Sequence, residues 1–404
     1  MKEKSEKLTH KAESPELEQS SFGLSAFGFK LKIGYDGKRA ANNLTGLGNY
    51  SRSLIEHLAV QFPENQYFIY TPKKKEAIVN LPLFTKLNVY LELPQEGKSK
   101  LFWRSISIKK QLLADKIELF HGLSHEIPFG IQHTGIKSIV TMHDLIFLRK
   151  PHYYNLIDRL IYKFKSKYAC DNADRIIAIS EKTKEDIVEL YNINPSKIDV
   201  IYQSCDDSFK TLSGIAEKEK IQEKYKLSDK FILNVGTIEA RKNLLLIIKA
   251  LPKIDVDFKL VVVGKETAYT ALVKKEIENL GLLHRVIFLK KVPFSDLPLI
   301  YQLASLFVLP SYYEGFGIPV IEALYSNVPV IAAIGSCLEE AGGPNSIYVS
   351  PDNEVDLANA INKVLTDKGL QETMKQKGLE YVQKFNNEIV NKQLMDCYLK
   401  TIKQ

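Results

Sequence analysis

Residues 311–324 read SYYEGFGIPVIEAL and hold two carboxylates, Glu314 and Glu322, with Gly315, Gly317 and Pro319 between them. Pro319 suits the first turn of a helix, where its missing N–H costs no bond. The pattern predicts a helix from there to about Ser326, before Pro329. The start of such a helix offers unpaired N–H groups and positive partial charge, a ready anion site. The two glycines let backbone come close to a ligand. Glu314 falls on the loop ahead of the helix. Glu322 sits one turn in, where side chains lean back toward the helix start. Two carboxylates at one helix mouth suit the hydroxyls of a polar ligand. They equally suit a solvated loop residue followed by an ordinary first-turn glutamate.

Three further stretches carry reactive or binding groups. VGTIEARKNL (235–244) ends a strand with a glycine and then presents Arg241 and Lys242. A planar fork beside a point charge suits a diphosphate, and Asn243 is placed to cap the next helix. SIVTMHDL sets His143 and Asp144 directly behind a strand, where open α/β sheets bind ligands. NLTGLGNYSR carries Thr45, Gly46 and Gly48 in a loop. It lacks the third glycine of a dinucleotide fingerprint, which leaves a glycine loop beside a phosphate. Taken singly, each stretch also fits a solvated loop or a structural residue. Neither the P-loop lysine motif nor H-E-x-x-H is present. Asp255 and Asp257 in IDVDF precede a strand instead of following one, and read as a turn. No nucleic-acid module signature occurs.

The elements that must position these groups show in the apolar runs. LKIGYD (31–36), QYFIYT, LNVYLEL, ELFHG, KSIVTMHD and RIIAIS are separated by segments of helical spacing, such as Leu47, Tyr50, Leu54 and Leu58. Near-continuous apolar strands alternating with helices indicate a parallel sheet covered on both faces. Residues 206–228 are polar and lysine-rich, which places a linker there. A second series follows: FILNVG (231–236), FKLVVVG, VIFL, SLFVLP, VPVIAA and SIYVS. The expectation is an α/β chain of two doubly wound Rossmann-like domains, 31–205 and 206–385, facing across a cleft. A further helix, 386–404, would pack back on the first domain. Residues 1–30 form a polar tail without the apolar segment of a secretory signal.

Bulk properties agree with that outline. A chain of 404 residues is a natural length for two domains. The net charge of +7 suits anionic small molecules or a membrane surface better than nucleic acid. Four scattered cysteines lack metal-ligand spacing and fit a reducing, cytoplasmic setting. No apolar run approaches the ~18 residues of a membrane span.

With these pieces in order, the sequence resembles the retaining glycosyltransferases of family 4, which have the GT-B fold. EGFGIPVIEA (314–323) resembles that family's glutamate-pair signature. TGLGNYSRSLI, LFHG, VTMHDLIFL, ADRIIAISEKTKEDI, VGTIEARKNL and SCLEEAGG resemble its segments in the same order, from about residue 31 onward. The resemblance implies catalytic roles for four residues. Glu314 would meet the donor sugar's hydroxyls, His143 would bond the sugar from the N-terminal domain, and Arg241 and Lys242 would neutralise the diphosphate. It implies donor contacts for Glu322 at the ribose, for Gly317 and Ile318 through backbone N–H, and for Phe316, Thr237, Gly46 and Gly48. Many members carry an arginine where Thr237 stands, and a lysine five positions on. The form seen here recurs in a subset resembling mannosyltransferases of surface polysaccharides.

The resemblance thus implies a metal-independent transferase without a cofactor. It would move a sugar from a nucleotide-sugar donor, GDP-mannose first, to a glycan or lipid-linked acceptor of an O-antigen or capsule. Rivals on the same architecture are an epimerase, a phosphorylase, a UDP-sugar-dependent transferase and a catalytically silent sugar-nucleotide sensor or scaffold. Two basic aromatic stretches bear on the acceptor's setting. One holds Trp103 among Lys98, Lys100, Arg104, Lys109 and Lys110; the other holds Tyr153, Tyr154, Tyr162 and Phe164. They either rest on an anionic membrane, at the inner face of the cytoplasmic membrane, or are solvated faces of core helices.

Overall fold

The computed structural model describes residues 30–43, 46–94 and 102–404. Thr45, Lys98, Lys100 and residues 1–29 of the tail lie outside them. The first sheet holds β1 (Lys32–Asp36), β2 (Gln66–Tyr70), β3 (Val89–Glu92), β4 (Leu119–Gly122), β5 (Lys137–Met142), β6 (Arg175–Ala178) and β7 (Ile198–Val200). The second holds β8 (Phe231–Val235), β9 (Lys259–Val263), β10 (Val286–Leu289), β11 (Leu306–Leu309), β12 (Val330–Ala333) and β13 (Ile347–Val349). All strand pairings in both are parallel. Their orders are β3-β2-β1-β4-β5-β6-β7 and β10-β9-β8-β11-β12-β13. The order reverses between β1 and β4 and again between β8 and β11. At each reversal the flanking loops diverge and leave a crevice at the carboxyl ends of the strands.

The sequence makes these strands because both of their faces are covered. FILNV of β8, LFVL of β11 and VIAA of β12 are buried along their whole length, as strands flanked by helices on both sides must be. Two differences from the sequence reading have plain causes. β7 is three residues long and includes an aspartate, so it carries no apolar run. The polar segment assigned as a linker holds the helix Ile215–Tyr225, which buries only Ile221 and therefore reads as polar. Trp103 is a core residue, 3% exposed beside Phe120 and Ile127, and not a surface anchor. All four cysteines are buried and unpaired.

The last helix, Asn387–Ile402, returns to the first domain. Its Leu394, Met395 and Tyr398 share one apolar cluster with Ile33 and Tyr35 of β1 and with Ile55 of the helix Gly46–Gln61. The buried hydroxyl of Tyr398 lies 2.6 Å from Nδ1 of His121, whose Nε2 meets Thr141 at 2.8 Å. Asn387 donates to Asp207 at 2.8 Å, and His57 bonds the same carboxylate at 3.1 Å. The first domain's core is therefore completed by residues at the far end of the chain. Tyr398→Ala should cost about 3 kcal/mol, the usual range for truncating a buried aromatic. The loss should appear in the first domain, so the urea midpoint reported by the fluorescence of Trp103, the only tryptophan, should fall.

Candidate functional site

The crevice between β8 and β11 brings together groups that are far apart in sequence. The chain leaves β8 through Gly236 and makes a short 3-10 turn over Ala240–Lys242. It leaves β11 through Pro310 and Ser311 and reaches Glu314. Because the strands are neighbours, the two loops face each other. Arg241 Nη1 donates to Glu314 Oε2 at 2.8 Å, and Lys242 Nζ donates to Oε1 at 2.9 Å. The Ser311 hydroxyl adds a bond to Oε1 at 2.9 Å. Arg241 is fixed further by the Tyr313 carbonyl at 2.5 Å and by Glu239 at 2.7 Å. Both cations therefore stand side by side, aimed by one carboxylate.

The electrostatics follow from that geometry. Burial alone would raise the Glu314 carboxyl, but the charges of Lys242 and Arg241 outweigh it and hold it at about 2. Glu314 is thus an anion at any working pH. Asp144 lies against the same cluster from the first domain, and burial raises its carboxyl despite the nearby charge of Arg241. An arriving diphosphate would meet two cations that share the Glu314 carboxylate, with Glu239 as a further partner of Arg241 alone. Such a site can stabilise negative charge that develops on a leaving group.

The helix Ile318–Tyr325 starts at Gly317, whose φ of +112° is one that L side chains rarely adopt. Gly315 is needed for a different reason: a Cβ there would stand 2.2 Å from the His143 carbonyl. The two domains touch at this point. Ser180 caps the helix Glu181–Tyr191 by accepting from Thr183 N–H at 3.0 Å, and its hydroxyl donates to the Gly315 carbonyl at 2.8 Å. Glu340 completes the seam by accepting from the N–H groups of Glu181 and Lys182 at 2.7 and 2.9 Å. Glu322 lies in the second turn, where the Tyr301 hydroxyl donates to it at 2.8 Å. Burial pushes its carboxyl up to about 7, although the Tyr301 bond pulls the other way.

Other expected residues take different places. His143 is buried, and both of its ring nitrogens are engaged. Nε2 donates to the Leu123 carbonyl at 2.8 Å, and Nδ1 accepts from Gln203 at 3.0 Å. Burial lowers it to about 4, so it is neutral. A sugar could reach it only by displacing one of those partners. The Phe316 ring is 2% exposed and packs on Tyr202 and Phe385, so its side chain serves the core. Asn243 sits at the helix start, but its side chain does not cap. Its amide donates instead to the carbonyls of Pro310 and Pro351, at 3.2 and 2.7 Å. Gly46 and Gly48 belong to the first turn of a helix and not to a loop. A Cβ on Gly48 would stand 1.8 Å from the Asn43 carbonyl, a packing requirement, whereas Gly46 faces open space. Thr237 is half-buried behind β8, as is Ile318 at the helix start. Tyr301, Ser311 and Glu239 escaped the sequence reading because nothing local distinguishes them from other polar or aromatic residues.

Glu322 gives a test of the buried site near neutral pH. Its folded-state value lies above the ordinary 4.5. The stability it confers is therefore complete below about pH 4.5 and is lost as pH rises through 7. Glu322→Gln keeps the Tyr301 bond and removes the titration. From pH 5 to 8 the variant should lose less stability than the parent, by on the order of 2 kcal/mol. Denaturant midpoints at the two pH values measure the difference.

The profile of glycosyl transferases group 1 matches residues 216–381, and that of glycosyltransferase family 4 matches residues 44–209. O-antigen chain mannosyltransferase B of Escherichia coli is 27% identical over 382 residues, covering 88% of this chain and 96% of that protein. O-antigen chain mannosyltransferase RfbU of Salmonella typhimurium is 31% identical over 242 residues, 59% of this chain and 63% of that protein. Among solved structures, Anabaena Alr3699/HepE, crystallised with UDP and glucose, superposes with a TM-score of 0.72 at 18% identity. That match covers 92% of this chain and all of the other. With matched profiles in each half and the same two-sheet architecture, the chain belongs to glycosyltransferase family 4, a GT-B enzyme of mannosyltransferase-like type.

Proposed function

We propose that this enzyme transfers a hexose, with retention of anomeric configuration, from a nucleotide-sugar to a glycan or lipid-linked acceptor in cell-envelope polysaccharide synthesis. The observation that carries this reading is the pair of cations, Arg241 and Lys242, held side by side by Glu314 beside the start of the helix Ile318–Tyr325. Departure of a nucleoside diphosphate leaves positive charge on the anomeric carbon and negative charge on phosphate. Arg241, Lys242 and the N–H groups of Gly317 and Ile318 stabilise the latter. Two fixed positive charges serve where a metal ion otherwise would. Glu314, freed in part from its cations by the diphosphate, takes the donor sugar's hydroxyls, and Glu322 takes the ribose. The acceptor hydroxyl attacks from the face the diphosphate leaves, and the leaving phosphate accepts its proton.

GDP-mannose is the first candidate donor because both relatives named above are mannosyltransferases. The structural neighbour holds UDP, so the base is decided by experiment. A thermal-shift panel of GDP, UDP, ADP and their sugars should single out one nucleotide. At 100-fold its dissociation constant it should add about 2.7 kcal/mol of stability. Arg241→Ala should abolish the response. Indifference of the parent enzyme to every nucleotide would remove the donor reading.

A lipid-linked acceptor is reached from the membrane surface at its cytoplasmic side. None of the helices among the described residues is long and apolar enough to cross a membrane. The helix Leu156–Asn172, however, exposes an apolar stripe. Leu156, Ile157, Leu160 and Phe164 are 59–70% exposed, and its buried residues all lie in its second half. Lys163 and Lys165 flank the stripe, the arrangement of a helix lying in an anionic interface. The enzyme should co-sediment with vesicles containing phosphatidylglycerol and not with phosphatidylcholine alone. Ile157→Asp combined with Leu160→Asp should reduce that binding at least tenfold.

A further inference from the structure

A cavity of about 630 Å³ opens beside the cation pair, and both domains wall it. The first domain contributes Lys150, His152 and Tyr153. The second contributes Tyr269 and Tyr312 among others. Nothing in the donor scheme above uses this space. Its lining residues Ala240 and Asn243 bracket Arg241 and Lys242 in the chain. Ala240, which lines it, precedes Arg241, and the N–H of Tyr312 donates to the Arg241 carbonyl at 2.9 Å.

We infer that this cavity is the acceptor subsite and that it takes the terminal units of an uncharged oligosaccharide; this rests on the transferase reading above. Three features point to that ligand. First, three tyrosines converge there. Burial raises each hydroxyl, and Tyr153 raises both Tyr269 and Tyr312 further, which requires the three to be close together. Half-buried aromatic rings offer an apolar face with a hydrogen-bonding tip, and a pyranose has the matching apolar face with hydroxyls around its edge. Second, the charges of the lining balance: Lys150 and Lys249 oppose Asp352 and Glu354. An anionic ligand, such as a phosphate or a second nucleotide, finds no net attraction there, in contrast to the Arg241–Lys242 pair. Third, the volume lies within the range of small-molecule sites, with aromatic walls and a few polar groups.

The subsite exists only when the domains are together, since Tyr153 and Tyr269 come from opposite sides of the cleft. The segment Lys150–Tyr153 also runs, through the capping residue Asn155, into the exposed apolar stripe that begins at Leu156. The non-reducing end of an acceptor would enter the cavity while its lipid end stays near that helix.

Saturation-transfer NMR on the full chain, with saturating nucleoside diphosphate, tests the assignment. The probes are linear manno-oligosaccharides of three to five units, with maltotriose as comparison. The manno series should bind, and both Tyr153→Ala and Tyr269→Ala should weaken binding at least fivefold. Both rings are partly buried and Tyr269 also packs on a core cluster of the second domain, so the nucleotide-induced thermal shift is used to report that each variant is folded. If no oligosaccharide binds while the nucleotide shift is intact, the subsite is wrong and the donor reading stands. Binding that neither substitution changes would likewise overturn it. Loss of the nucleotide shift in the parent enzyme would mark a failure of the donor reading instead.

Discussion

The carboxylate of Glu314 is the constraint on which the site depends. Two cations on adjacent residues would repel each other and point away into solvent. With one oxygen of Glu314 on each, they are turned into the same crevice. Ser311 and the Tyr313 carbonyl hold the carboxylate and the guanidinium from behind, so the loop after β11 supplies both the anion and the frame that aims it. The arrangement stands without a ligand, and an anion entering it would replace one partner of the cations with another in place of ordering a loop.

The same loop is where the domains meet. Ser180 serves as helix cap and as donor to Gly315 with a single hydroxyl. Tyr313 reaches across to Asp186, which also pairs with Arg149 at 2.7 Å. Glu340 closes the far side on the helix Glu181–Tyr191. A movement of the second domain would have to release these contacts, of which those of Tyr313 and Gly315 flank Glu314 in the chain. Gly315 and Tyr313, on either side of Glu314, thus tie the loop that carries it to the first domain.

Much of the fold was legible because parallel strands buried on both faces are nearly continuous apolar runs; β11 and β12 are apolar throughout, and β8 and β9 depart only at Asn234 and at the exposed Lys259. β7 and the helix Ile215–Tyr225 were missed because neither buries enough to leave a pattern. At the site, position relative to a strand end revealed Glu314, Arg241 and His143 as polar groups at strand termini. Pairing was not legible: Glu314 and Arg241 are 73 residues apart, and only the strand order makes β8 and β11 neighbours. Nor did composition separate a packing role from a binding role. Phe316 and Gly48 carry the motif's residue types, yet each answers to an internal contact.

The helix Asn387–Ile402 sets a rule for the order of assembly. The first domain emerges from the ribosome well before Leu394 and Tyr398 are synthesised, yet those residues fill the apolar cluster against β1. Until the helix Asn387–Ile402 has been made, that apolar face lacks the residues that cover it. A chain lacking that helix would leave the first domain's apolar cluster incomplete, while the two clusters of the second domain keep all their residues. The first domain's core is thus filled by residues made after the whole of the second domain.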